Sequence, residues 1–395
     1  MSDAYLILEN GAVFKGESFG YDGRAVGELV FSTGMTGYLE TLTDPCHYGH
    51  IVLQTFPLIG NFGVIRGEFA GWADQDGRAA QLNAYIVREW CQEPSNFRNE
   101  GNLDSFLRFN RIPGLCGIDT RALTRVIREN GSMNAMISGS PELSEKEWAM
   151  LREYRITGAV EAVAKKRGGD GEDKYRGACM APGGPEKKFS VALWDFGSRD
   201  ALVRQLIEHG CDPKLFGYGH SADEILACNP DGVVLTDGPG DPAENTRIIG
   251  EIKKLCGKTA PGGADRRSGS GSETTGKNIP IFGVGLGHQM LALANGAKTE
   301  KLAFGHRGAN HPVRELETGR AFVTKQNHGY TVAADSIPGN AEMNYVNAND
   351  GTCEGIAYKD IRALSVQFHP TIEAVGRLLG KFTDMMEGRD ANAAE

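Results

Sequence analysis

Whether this chain carries out chemistry turns on one stretch, Asn278 to Ala297, which reads N-I-P-I-F-G-V-G-L-G-H-Q-M-L-A-L-A-N-G-A. Ile279 to Val284 is a short apolar run opened by a proline, and it predicts a buried strand. Gly283, Gly285 and Gly287 follow at alternate positions. From Leu286 to Leu293 the pattern turns helical, and Asn295-Gly296 closes it as a C-cap. Strand, glycine-lined turn and helix make the build of a nucleophile elbow, which holds one side chain up above a parallel sheet. A cysteine or serine belongs at the tip; Gly285 stands there. The three glycines do not form a dinucleotide fingerprint, because the spacing is not G-x-G-x-x-G and the stretch is not the first βα unit of its sheet. A second group, Cys46-His47-Tyr-Gly-His50, offers three soft metal ligands within five residues. No fourth ligand is placed by the sequence, so no metal site is expected and the histidines read as surface or interface residues.

The elements that must position these residues fall into two units. In residues 1–155, Tyr5–Leu8, Ala12–Phe14, Gly27–Phe31 and Ile51–Thr55 are apolar runs separated by Gly, Asn and Asp, which predicts short strands. Thr120–Arg128 reads as a helix capped by Asp119, with Leu123, Val126 and Ile127 on one face and Gly131 at its end. Residues 156–188 read as a linker, polar and punctuated by Gly and Pro. Over 189–390 the rhythm alternates. Strands are expected at Phe189–Trp194, Pro213–Phe216 and Gly232–Thr236, and helices at Ala201–Glu208 and Ala222–Ala227. Repeated β-α-β units with apolar strands argue for a mainly parallel sheet covered on both faces, with ligands at the carboxyl ends of its strands. Both the elbow and the turn Asp237-Gly-Pro-Gly-Asp-Pro242 fall at such ends. Residues 257–277 have flexible-linker composition inside the second unit and read as a surface insertion.

The 395 residues carry a net charge of −9 and no Lys/Arg run longer than three, which disfavours nucleic acid and anionic membranes as partners. No window approaches a membrane span, and Met1 to Leu8 lacks the form of a signal peptide. Eight cysteines without a C-x-x-C pair suit reduced thiols in a cytoplasm.

The chain resembles the small subunit of carbamoyl-phosphate synthase nearly end to end. In the first unit the resemblance rests on Val30 to Tyr38 (V-F-S-T-G-M-T-G-Y), Leu42-Thr-Asp-Pro45, Gly60-Asn61, Ser95-Asn-Phe-Arg98 and Gly117-Ile-Asp-Thr-Arg121. In the second it rests on Trp194-Asp-Phe-Gly197, the D-G-P-G-D-P turn, Gly285-Leu-Gly-His-Gln289, Phe304-Gly-His306, Gly308 to Pro312, Gln326 to Tyr330 and Gln367-Phe-His-Pro370. It implies a carboxy-terminal class I glutamine amidotransferase-like domain, α/β with a mainly parallel sheet flanked by helices. A mixed α/β small-subunit domain precedes it and docks on a large synthetase subunit. That partner would use bicarbonate and ATP with its metal ion, and no cofactor is expected in this chain, which has no P-loop pattern.

Cleaving a glutamine amide requires a thiolate, a base, an orienting carboxylate and backbone N–H donors for the oxyanion. In the family's pattern the nucleophile occupies the position of Gly285, the base that of His369 and the carboxylate that of Thr371. The base stands and the other two do not, so this half-reaction is expected to be absent. Glu373 and Cys46 are the candidate stand-ins, Cys46 lying where the family has a serine that contacts glutamine. Gly238, Gly240, Leu286, Gln289, Asn327, Gly329 and Tyr330 match the remaining glutamine-binding positions. His306 and His311 read as structural or interface residues. An alternative reading is a non-catalytic module that senses glutamine or regulates a partner.

Overall fold

Leu29-Val30-Phe31 and Ile51-Val52-Leu53 are unbroken apolar runs because successive side chains enter opposite cores. Leu29, Phe31, Ile51 and Leu53 pack with Leu6, Leu115, Leu123 and Ile127. Val30 and Val52 pack with Phe19, Tyr85, Leu103 and Leu107 on the other face. Each such burial is worth about 1.5–3 kcal/mol. In the computed structural model, which describes residues 2–70, 77–166, 188–197, 200–259, 279–369 and 372–388, these strands belong to a closed seven-stranded barrel. Its order is Asp3–Leu8, Val13–Gly20, Pro113–Cys116, Ala84–Ile86, His50–Gln54, Ala25–Ser32 and Met133–Ser138, the last pairing back to the first. The helix Thr120–Asn130 forms as expected. Asp119 accepts from the Ala122 N–H (2.9 Å), and Leu123 and Ile127 are fully buried.

The second unit is built on a nine-stranded sheet. Five strands, Cys211–Gly217, Phe189–Asp195, Gly232–Leu235, Ile281–Val284 and Ala363–Val366, are parallel neighbours in that order. Their apolar runs again split between two faces: Ala192, Trp194, Val233, Leu235 and Ile281 on one, Val191, Leu193, Val234 and Phe282 on the other. Beyond Ala363–Val366 the sheet continues antiparallel through Cys353–Tyr358, Ala341–Asn347, Thr299–Glu315 and Ala321–Val332. The domain is therefore α/β, its sheet parallel from one edge to the middle strand and antiparallel from there to the other edge, with equal numbers of pairs. Within the stretch read as linker, Ala159–Lys166 is helical, and its Val160 packs into the core of the second unit. Residues 167–187 and 260–278, which hold most of the expected linker and surface insertion, lie outside the described residues.

The units meet along a polar seam. The Thr33 N–H donates to the Arg307 carbonyl (3.0 Å), and Lys301 pairs with Glu28 (2.8 Å). Phe31 and Phe304 stack across it at 5.7 Å.

Candidate active site

The elbow forms where the glycines require it. Ile281–Val284 ends at Gly285, whose backbone sits at φ 54°, ψ −113°, and Leu286–Ala294 begins at once as a helix buried almost all round. That φ is one L side chains rarely adopt, so glycine relieves strain at the tip. The neighbouring glycines serve packing. A Cβ on Gly287 would run into the Leu235 carbonyl, and one on Gly283 would sit 3.1 Å from the Gly287 carbonyl. The Gly285 N–H donates to the Val366 carbonyl (2.9 Å) and the Gly287 N–H to the Thr236 carbonyl (3.0 Å), which ties the elbow to both flanking strands.

Asp237, the first residue of the D-G-P-G-D-P turn, fills the space over the vacant tip. Its Oδ1 accepts from the N–H of Leu286 (3.0 Å) and from that of Gly238 (2.8 Å). A Cβ built on Gly285 would collide with that same oxygen. Its Oδ2 accepts from the Cys46 thiol (3.2 Å) and lies 2.9 Å from His369 Nε2. A carboxylate at a helix N-terminus meets orphan N–H groups and the positive end of the helix dipole, so the arrangement stabilises the elbow that Gly285 itself cannot cap. The two N–H groups are also the donors an oxyanion would need, and they are already taken.

Cys46 enters from the barrel domain. It sits in the single turn Pro45–His47, capped by Asp44, whose Oδ1 accepts from the Cys46 N–H (3.0 Å). The other oxygen of Asp44 accepts from the Asn327 side-chain amide, so the turn is pinned to the opposite domain. His369 is held by its own N–H on the Lys325 carbonyl (3.0 Å) and is the one proposed triad member whose side chain the structure brings to the elbow. Thr371 and the side chain of Glu373 lie outside the described residues.

The eight positions read as glutamine contacts come together. Cys46, Gly238, Gly240, Leu286, Gln289, Asn327, Gly329 and Tyr330 all line one cavity of about 390 Å³. His369 opens on the far side of Asp237, on a second cavity with Val284 and Lys325. Gln289 is tied down: its amide donates to the Tyr330 carbonyl (2.7 Å) and to Gln367 Oε1 (2.8 Å). Arg307 is a buried cation on the wall of the first cavity, and burial pulls its guanidinium down to about 10. On the elbow helix His288 is no candidate base. It is fully buried against Ser365 Oγ (2.8 Å), and burial lowers it to about 3.

His47 and His50 are both buried, their rings in edge contact at 6.0 Å, which excludes the surface placement and leaves the interface one of the two expected. Only Cys46 of that trio faces the elbow. His306 lies in a separate buried cluster. Its Nε2 contacts Asp350 Oδ2 at 2.8 Å and its Nδ1 lies 3.7 Å from Glu354. Burial opposes its charge, but hydrogen bonds to Asp350 and Glu354 prevail and raise it to about 9.

Residues 6–137 match the carbamoyl-phosphate synthase small chain, CPSase domain, and residues 192–380 match the class-I glutamine amidotransferase domain. A carbamoyl phosphate synthase small chain from Clostridium perfringens is 43% identical over 93% of each chain. One from Listeria monocytogenes is 39% identical over 99% of this chain and 98% of its own. The chain belongs to the carbamoyl-phosphate synthase small-chain family. A pyrimidine-specific small chain from Bacillus subtilis is also similar, at 40% identity over 97% of this chain and 95% of its own. Membership gives the small-chain family fold to the first domain and the class-I glutamine amidotransferase fold to the second. What the sequence reading missed in that site is Asp237. The signal was available, since an acidic residue at a strand end beside the elbow must find partners once the tip is empty. Its 48-residue separation from Gly285 hid the contact.

Proposed function

We propose that this chain is a carbamoyl-phosphate synthase small subunit whose amidotransferase site no longer hydrolyses glutamine, so that the assembled enzyme runs on free ammonia. The partner would be a large subunit that handles bicarbonate, ATP and its metal ion, and the chain itself would supply docking and structural support in a cytoplasm. One observation carries the reading: the Asp237 carboxylate occupies both the space over Gly285 and the Leu286 and Gly238 N–H donors. A substrate amide would have to displace an anion from the Leu286 and Gly238 N–H donors before they could stabilise its oxyanion, with no side chain at the Gly285 tip beneath it. The test is carbamoyl phosphate synthesis by this chain with its cognate large subunit, driven by glutamine or by ammonium. Ammonium-only activity supports the proposal, and glutamine-driven activity overturns it.

A second reading draws on Cys46, whose sulfur lies within 4.8 Å of the donor nitrogen of His369. A thiol and an imidazole that close could act as a stand-in pair. Against it, the thiol donates to Asp237, and the oxyanion donors stay filled. Covalent labelling of Cys46 by an electrophilic glutamine analogue, protected by glutamine, would favour this reading. The alternative of a glutamine-sensing module is supported by the intact cavity. It predicts glutamine binding by calorimetry with no synthesis in the complex.

A further inference from the structure

Three donor atoms of different softness converge between the two domains: Cys46 Sγ, Asp237 Oδ2 and His369 Nε2. They lie 3.2 and 2.9 Å apart across Asp237, and all three fall within 4.8 Å of one another. Cys46 and Asp237 are buried and His369 is nearly so. From these atoms we infer a binding site for one divalent transition-metal ion of the zinc type, with these three side chains among its ligands. This departs from the expectation of no metal in the chain, and it does not rest on whether glutamine hydrolysis is lost.

The donor set selects the ion class. Thiolate plus imidazole plus carboxylate suits zinc or cobalt, whereas magnesium and calcium demand oxygen donors throughout. Ligand bonds of about 2.0–2.3 Å in a tetrahedron put donors roughly 3.3–3.7 Å apart. The two contacts across Asp237 need therefore open by only a few tenths of an ångström, and the Cys46 and His369 donors already lie within 4.8 Å of each other. The protons balance as well. Binding expels the Cys46 thiol proton to solvent and requires His369 neutral, with its remaining proton on Nδ1.

The supporting contacts are already those of a ligand set. Asp237 Oδ1 is held by the Leu286 and Gly238 N–H groups, which leaves Oδ2 aimed at the other two donors. The Cys46 turn is fixed by Asp44, and Asp44 by Asn327. His369 is fixed by its backbone bond to Lys325. Such outer contacts orient ligands and commonly matter 10–100-fold in affinity. Cavities on both sides of Asp237 provide access and room for a further ligand. A rival cluster, His306, His328 and Glu354, is weaker. Both ring nitrogens of His328 are already engaged, with the Tyr330 carbonyl (2.8 Å) and Gln326 (3.0 Å), and it offers no thiolate.

Since Cys46 belongs to the barrel domain and the other two ligands to the amidotransferase domain, the ion would clip the domains together at the elbow. The test uses the full chain, stripped with chelator and titrated with cobalt(II), then with zinc(II). Expected are one equivalent bound, a thiolate-to-cobalt charge-transfer band with the strong visible absorption of a tetrahedral ion, and bleaching by zinc. Thermal unfolding should move up with zinc and return with chelator. Cys46→Ser should abolish the charge-transfer band, while Cys228→Ser, at the exposed cysteine, should leave it intact. His369→Gln should weaken binding by more than the ~10–100-fold typical of outer contacts, and it serves if Cys46→Ser does not fold. A wild-type chain without the band, or a band that survives Cys46→Ser undiminished, overturns the proposal.

Discussion

The amidotransferase site divides into a reacting half and a holding half, and they differ in how their polar groups are satisfied. In the holding half, Gln289, Asn327 and the Gly238–Asp241 turn keep to the wall of a cavity, each tied to backbone or to a neighbour. In the reacting half, one carboxylate sits in the space that the proposed chemistry would need and pairs with two backbone donors, a thiol and an imidazole. The first half is shaped to receive something. The second is closed upon itself. A tip without a side chain therefore leaves no hole at this site, because buried donors without partners cost about 1–3 kcal/mol each and a nearby anion can relieve them.

The strongest way to break this comparison is to restore turnover. Gly285→Cys with Thr371→Glu alone should stay inert, since Asp237 still fills the tip and the oxyanion donors. Adding Asp237→Ala should release glutamine hydrolysis, up to a fraction of the roughly 10⁶-fold that a whole nucleophile unit carries. Ammonia release from glutamine is the measurement, and a double variant as active as the triple would mean that Asp237 moves aside freely. Next in size is folding. Gly285→Cys by itself should destabilise the chain by about 2–4 kcal/mol in urea, from positive φ and the clash with Asp237. Asp237→Ala should recover part of that cost; strictly additive effects would show that the two residues do not compete for space.

The holding half can be probed through pH. His306 pairs in register with His328, beside Asn327 and Gly329 on the cavity wall. Held by Asp350 and Glu354 against the cost of burial, its folded value of about 9 stands above the ordinary 6.5. The stabilisation is thus fully present below about pH 6.5 and fades as pH rises through about 9, on the order of 1–3 kcal/mol. Urea unfolding of wild type and His306→Gln should converge over that window, and a constant gap from pH 6 to 9.5 would rule the ion pair out as the cause. The smallest effect belongs to the seam. Lys301→Met removes a half-exposed ion pair with Glu28 and should cost less than about 1 kcal/mol, less still in high salt. A larger loss would mean that the domain seam, rather than Asp44 and Cys46, holds the two halves in place.

Much of this arrangement was legible in the chain. The elbow was readable because Gly283, Gly285 and Gly287 interrupt an apolar strand and a buried helix at one place, and because Phe189–Trp194 and Gly232–Thr236 have the unbroken apolar character of strands buried on both faces. The antiparallel flank was not. Thr299–Glu315 is a 17-residue strand with two bulges, and its face pattern mixes Lys, Glu, His and Arg with few apolar residues. Neither alternation nor a helical period survives that. Closure of the barrel was equally hidden, since Asp3–Leu8 finds Met133–Ser138 more than a hundred residues away and nothing local records the pairing. Asp237 was hidden for a third reason. A turn residue is recognised by its effect on the backbone, whereas its importance here lies in what its side chain reaches across the sheet.

The crowding over Gly285 also constrains how such a subunit can change by descent. A substitution that returned a thiol to the tip first would meet the Asp237 carboxylate and destabilise the fold before it conferred any activity. Replacing Asp237 first removes the obstacle, but at a time when no nucleophile rewards the change. Under the proposed function, regaining glutamine hydrolysis would cost stability first in one order of steps and bring no activity at first in the other.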